Sequence, residues 1–91
     1  MKIDQTHTPE EPFAPYEAMP SSTWRVKLDF RIDFTNGGHL EGEGFLLDLA
    51  DQHVDPRRAA EMLVSAMNLL KAGPVTIRRL QIVRRGDHDD A

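Results

Sequence analysis

From Trp24 to Phe34 the chain alternates strictly: Trp24, Val26, Leu28, Phe30, Ile32 and Phe34 are apolar, and Arg25, Lys27, Asp29, Arg31 and Asp33 are charged. A period of two over this length predicts a long antiparallel strand with one buried face and one solvated, charged face. The next run, HLEGEGFLLDLA, changes phase. Leu40, Gly42 and Gly44 hold one register, and Phe45, Leu47 and Leu49 hold the other. A three-residue turn at Asn36-Gly37-Gly38 sets Phe34 against Leu40, Ile32 against Gly42 and Phe30 against Gly44. One extra residue near Gly44, a β-bulge, then brings Leu28 opposite Leu47 and Val26 opposite Leu49. On this reading the glycines serve a hairpin rather than a ligand.

Residues 50–74 change period. Asp55 is a good N-cap, Pro56 suits the first helical position, and Gly73-Pro74 is a stop, so a helix of about 16 residues is expected. Ala59, Ala60, Met62, Leu63, Ala66, Met67, Leu69 and Leu70 share one arc at 100° steps, wider than one sheet contact needs. The arc's margins, Met62 and Leu69, are therefore candidates for a second contact. PVTIRRLQIVRR reads as a last strand, with a bulge near Arg78-Arg79 joining its two phases.

The expected fold is α+β, a ββαβ unit over residues 23–85: a three-stranded antiparallel sheet, order 2-1-3, with one helix packed on one face. The helix spans about 24 Å against about 36 Å for the first strand, so the hairpin tip projects past it. Ile32, Phe34 and Leu40 on that arm, with Met62 and Leu69, form the expected interface of a homodimer or higher oligomer. Residues 1–22, with four prolines, read as a disordered acidic tail, and residues 86–91 as a short acidic one. Phe13, Tyr16 and Met19, spaced by three, could anchor the first tail in a groove.

The 91 residues carry a net charge of −4, and the division along the chain matters more than the sum. Residues 1–22 hold one Lys against four acids, residues 23–85 ten Lys/Arg against eight acids, and residues 86–91 three acids. So weakly basic a central unit argues against nucleic acid and anionic membrane as partners. Without cysteine there are neither disulfides nor thiolate zinc sites, which makes oligomerisation the natural support for a small core. No apolar run approaches the roughly 20 residues that span a bilayer, and a cytoplasmic location is expected.

The chemistry is sparse. GGHLEGEG matches no phosphate loop, and Glu41 and Glu43 would repel an anion. Asp51, His53 and Asp55 are ligand types two apart, but Asp55 is already explained as a cap; no metal and no cofactor are expected. His39, Glu41 and Glu43 alternate onto one side of a strand and, with Trp24, make a candidate ligand site at an oligomer interface. No catalytic residue is assigned. Arg78, Arg79, Arg84 and Arg85 form the main basic cluster, suited to the carboxylates of a protein partner; without interleaved aromatics it makes a weak RNA site.

The segments FTNGGHLEGEGFLLDLA and LLKAGPVTIRRLQIVRR, within residues 26–84, resemble a group of short uncharacterised bacterial proteins carrying FxNGGxLxGxxFxLDI and then a helix ending LLxxGxVxIxxxxI. Some of these are labelled cyclases, by association with cyclase-type metal-dependent hydrolases. The metal-binding HxGTHxD motif of those hydrolases is absent here. The resemblance therefore implies an accessory subunit rather than an enzyme.

Overall fold

A computed structural model of the chain describes residues 2–86; the acidic residues 87–91 lie outside the described part. The elements are β1 (Lys2–His7), β2 (Trp24–Phe34), β3 (His39–Leu49), α1 (Pro56–Ala66) and β4 (Ala72–Arg84). They form a four-stranded antiparallel sheet of order β1-β4-β2-β3 with one helix.

The α+β class and the order of the last three strands agree with the sequence. The strand count does not: three were expected, and the fourth, β1, comes from the segment taken as a disordered tail. The strand pairs antiparallel with β4, and among its described side chains Asp4, Gln5 and Thr6 are exposed and His7 is half-buried. Alternation of apolar residues, the signal that marks half-buried strands, is nearly absent from KIDQTH. One side-chain contact across this pair joins the Thr6 and Thr76 hydroxyls at 3.0 Å. As a result β4, expected at an edge, is a central strand.

The hairpin turn is Thr35-Asn36-Gly37, one residue earlier than expected. Phe34 N–H donates to the Gly38 carbonyl at 2.8 Å, and Gly37 takes φ +100°, the left-handed position of a three-residue loop. The register therefore moves by two, so that Ile32 pairs with Leu40 and Phe30 with Gly42. The bulge falls at Gly44, as the change of phase indicated. Gly44 has φ +67° and donates its N–H to Asp29 Oδ1 at 2.9 Å, and below it Leu28 pairs with Phe45 and Val26 with Leu47. The β4 bulge sits at Arg78, between the pairs Asp29–Arg79 and Phe30–Ile77. Both neighbours of β2 thus kink at the same level.

Phe30 fills that kink. Its ring lies over Gly42, where an added Cβ would come within 2.6 Å of Cζ, and meets Phe45 edge-on at 5.9 Å. Around it the β2 residues Val26, Leu28 and Ile32 pack with Val75 and Ile77 of β4 and with Ala59, Ala60 and Leu63 of α1 into one buried cluster.

The helix is shorter than expected. Asp55 caps its start, accepting from Arg58 N–H at 2.8 Å. Its end is set at Asn68, φ +53°, not at Gly73. Asn68 N–H donates to Ser65 O and Leu69 N–H to Val64 O, the two bonds of a Schellman cap with asparagine in the left-handed position. Gly73 instead allows a close approach of two backbones, since a Cβ there would lie 2.9 Å from the Asp33 carbonyl oxygen. Residues 67–71 form a corner tied to the hairpin by Thr35 N–H donating to Lys71 O at 2.8 Å.

The remaining cover is a strap, residues 13–22. Phe13 and Tyr16 pack against the core beside the helix. Tyr16 N–H donates to Ser65 Oγ at 2.8 Å, and the Tyr16 hydroxyl accepts from Asp48 N–H at 2.9 Å. The anchor spacing in the N-terminal segment is thus used within the chain, on the margin of a helix whose apolar arc is too wide for the sheet alone.

Candidate functional site

Two features at opposite ends of the hairpin can meet other molecules: an apolar tip and a depression. Ile32, on the arm, and Met62, on the floor of the depression, are 0% and 5% exposed, because both belong to the buried core cluster and so present no free surface. Phe34 and Leu69 are half-buried, while Leu40 is 37% exposed. Leu70, expected from the sequence on the helix's buried arc, is 84% exposed, since the Schellman cap turns the chain before that residue can follow the arc. These two leucines are the exposed large hydrophobics among the described residues.

The β3 edge beside Leu40 is open. Phe34 and Gly38 form a hydrogen-bonded pair, so by antiparallel alternation the His39 and Glu41 N–H groups point away from β2. Further along, Asp48 N–H also points outward, and there the strap meets it through Tyr16. One half of the edge is capped and the other is bare.

The expected ligand set Trp24, His39, Glu41 and Glu43 does not come together. Trp24 pairs with Leu49 at one end of the hairpin and Asp33 with His39 at the other, about 30 Å away. Glu41 and Glu43 share a shallow recess of roughly 360 Å³ with Asp29, Gly42 and Arg78. Arg78 donates to Glu41 at 2.6 Å and holds this carboxylate below its usual range; His39 is more distant, at 3.9 Å.

The four arginines are dispersed as well. Arg78 is engaged with Glu41, and Arg79 lies across from Asp29 in the register. The Arg84 guanidinium sits 5.5 Å from the Trp24 ring centre, a cation–π contact on the helix side of the sheet. Arg85 is a clasp. It donates to the Ser22 and Met19 carbonyls and pairs with Asp48, whose other oxygen accepts from Met19 N–H at 2.7 Å. These guanidiniums make no continuous cationic face.

Beyond the clasp, the strap, the end of β3 with the loop 50–55, and the start of α1 border an open depression of roughly 920 Å³. Leu49, Val54, Met62, Leu80 and Ile82 form its apolar floor, with Tyr16 as one wall. Burial raises the Tyr16 hydroxyl above its ordinary pKa. The rim carries Glu17, Asp48, Asp51 and Asp55 against Arg58 and His53. Among the described residues no group of three His, Cys, Asp or Glu is placed to hold a metal ion. Asp51 instead accepts from His53 N–H at 2.9 Å, and Asp55 caps the helix.

The depression draws on segments remote in sequence, and the one signal that pointed to it was the Phe13, Tyr16, Met19 spacing. Among the described residues no helix is long and apolar enough to cross a membrane. No protein-family model, curated protein or solved structure matches the chain.

Proposed function

We propose that this chain is a small, non-enzymatic, cytoplasmic protein-interaction module that self-associates through the apolar end of its hairpin. The observation that carries this reading is the exposure of Leu40 and Leu70 on either side of β2 at the turn end, with Lys71 O bonded to Thr35 N–H to fix the corner against the hairpin. Leucine held in water by a rigid corner gains on the order of 1.5–3 kcal/mol when buried, which favours a protein surface as its neighbour. The bare backbone of His39 and Glu41 beside Leu40 adds unpaired N–H groups that a partner can satisfy. Charged side chains on that edge restrict which partners fit.

Native mass spectrometry and light scattering across a range of concentrations test the proposal. The wild-type chain is expected above its 10.3 kDa monomer mass, and a Leu40→Glu/Leu70→Glu double variant at that mass with an unchanged unfolding midpoint. A wild-type chain that stays monomeric at every concentration would refute it.

A further inference from the structure

We infer that the tip of one copy docks in the depression of the next, head to tail, with Leu70 on the apolar floor and the Lys71 ammonium facing Glu17, Asp51 and Asp55. The inference rests on the reading of the chain as self-associating and names the surface that receives the tip.

Three observations carry it. First, Leu70 cannot turn inward. The Schellman bonds at Asn68 and Leu69 on one side and the Lys71–Thr35 bond on the other fix the corner, and Lys71 itself sits at φ +63°. An apolar side chain followed by a cation is therefore presented as a rigid knob.

Second, the depression has the matching chemistry. Its floor is apolar, and its rim charges do not balance. Asp48 is paired with Arg85, and Arg58 is paired with Glu61, which lies outside the depression. Among the described residues no cation pairs with Glu17, Asp51 or Asp55. Three unmatched carboxylates over an apolar floor favour an occupant with an apolar body and a positive charge, as Leu70-Lys71 offers.

Third, the knob and the depression lie at opposite ends of the hairpin, along a molecule 38 Å in its longest dimension. One copy therefore cannot satisfy itself, and the contact is heterologous, closing into a ring or extending as a chain according to its rotation. A tip-to-tip dimer would also cover Leu70, but the carboxylates nearest the turn are engaged, Asp33 with Arg31 and Glu41 with Arg78, and Glu43 lies farther back beside the Gly44 bulge. At the turn itself Lys71 would meet only carboxylates that already hold a cation.

The test uses two full-length variants at exposed positions: Leu70→Glu, which removes the knob, and Ala50→Arg, which places bulk and like charge at the depression. Each alone is expected to associate roughly 10- to 100-fold more weakly than wild type, the equivalent of one leucine's burial. Mixed in equal amounts they should recover a one-to-one heterodimer and nothing larger, since one supplies an intact depression and the other an intact knob. Glu17→Lys, on the exposed strap, replaces Ala50→Arg if that variant's unfolding midpoint falls.

Full association of the depression variant alongside a monomeric Leu70→Glu would overturn the inference in favour of tip-to-tip contact. Association undiminished in both would move the interface elsewhere and leave self-association standing. A monomeric wild type would remove the broader reading as well.

Discussion

The two ends of the β2–β3 hairpin start from similar sequence and finish differently. At the Trp24–Leu49 end, the strap covers the β3 edge, Arg85 and Asp48 clasp it, and Arg84 packs on the Trp24 ring. At the Phe34–His39 end, the edge is bare and leucines stand in water. Both ends are apolar on the helix side, so hydrophobicity alone does not decide which one is closed. What decides is whether another segment of the chain reaches it. The strap reaches the first; the corner 67–71 is bonded to the hairpin at the second and packs Met67 and Leu69 on the core, but leaves Leu40 and Leu70 outside.

Four substitutions break or sharpen this contrast. The largest effect is expected at the closed end. Asp48→Ala removes the carboxylate that joins Arg85 to the strap and orphans Met19 N–H, at a cost of roughly 2–4 kcal/mol by chemical denaturation. Amides of residues 13–22 should then exchange faster, while those of the tip keep their protection; equal loosening at both ends would show that the clasp is not local.

Between the ends, Gly42→Ala forces a methyl into the Phe30 ring and should cost about 1–3 kcal/mol. If stability is unchanged, the ring is not packed on that glycine.

The smallest effects are electrostatic. Burial holds the Tyr16 hydroxyl above its ordinary value of 10.0, so above that pH the unfolded chain releases a proton that the folded chain retains. The stability this group contributes is full below pH 10.0 and declines above it. Tyr16→Phe should flatten the alkaline limb of a pH–stability curve. At the tip, by contrast, Arg78 holds Glu41 below its ordinary 4.5, so any contribution is present above that pH and lost as the pH falls. Both partners are well exposed, and Glu41→Gln is expected to leave the unfolding midpoint in place.

The sequence made the hairpin, the helix start and both bulges legible because each leaves a mark in local chemistry: a period of two, a change of phase at Gly44 and at Arg78-Arg79, an Asp-Pro pair. It misplaced features whose cause is distant. The Thr35-Asn36-Gly37 turn and the Asn36-Gly37-Gly38 turn are equally good locally, and packing of Phe30 over Gly42 accompanies the one adopted. Asn68 resembled any polar residue on a solvated helix face, although asparagine is the commonest substitute for glycine in the left-handed cap. β1 left no mark of this kind, because KIDQTH carries no alternation of apolar residues. The proposed site was legible in part. Phe34, Leu40 and Leu69 were singled out and do lie at the tip, but Leu70 was hidden in the helical arc, and the depression is assembled by the tertiary fold.

The strand order has a further consequence, for synthesis. β4 pairs with both β1 and β2, yet it leaves the ribosome after the other described elements. Until then β1 has no strand to join, Arg85 cannot close the strap, and the apolar face of the finished hairpin has only half of its sheet beside it. Assembly of this sheet therefore waits for β4, and the stretch from Trp24 to Leu49 is the part most in need of protection until that strand emerges.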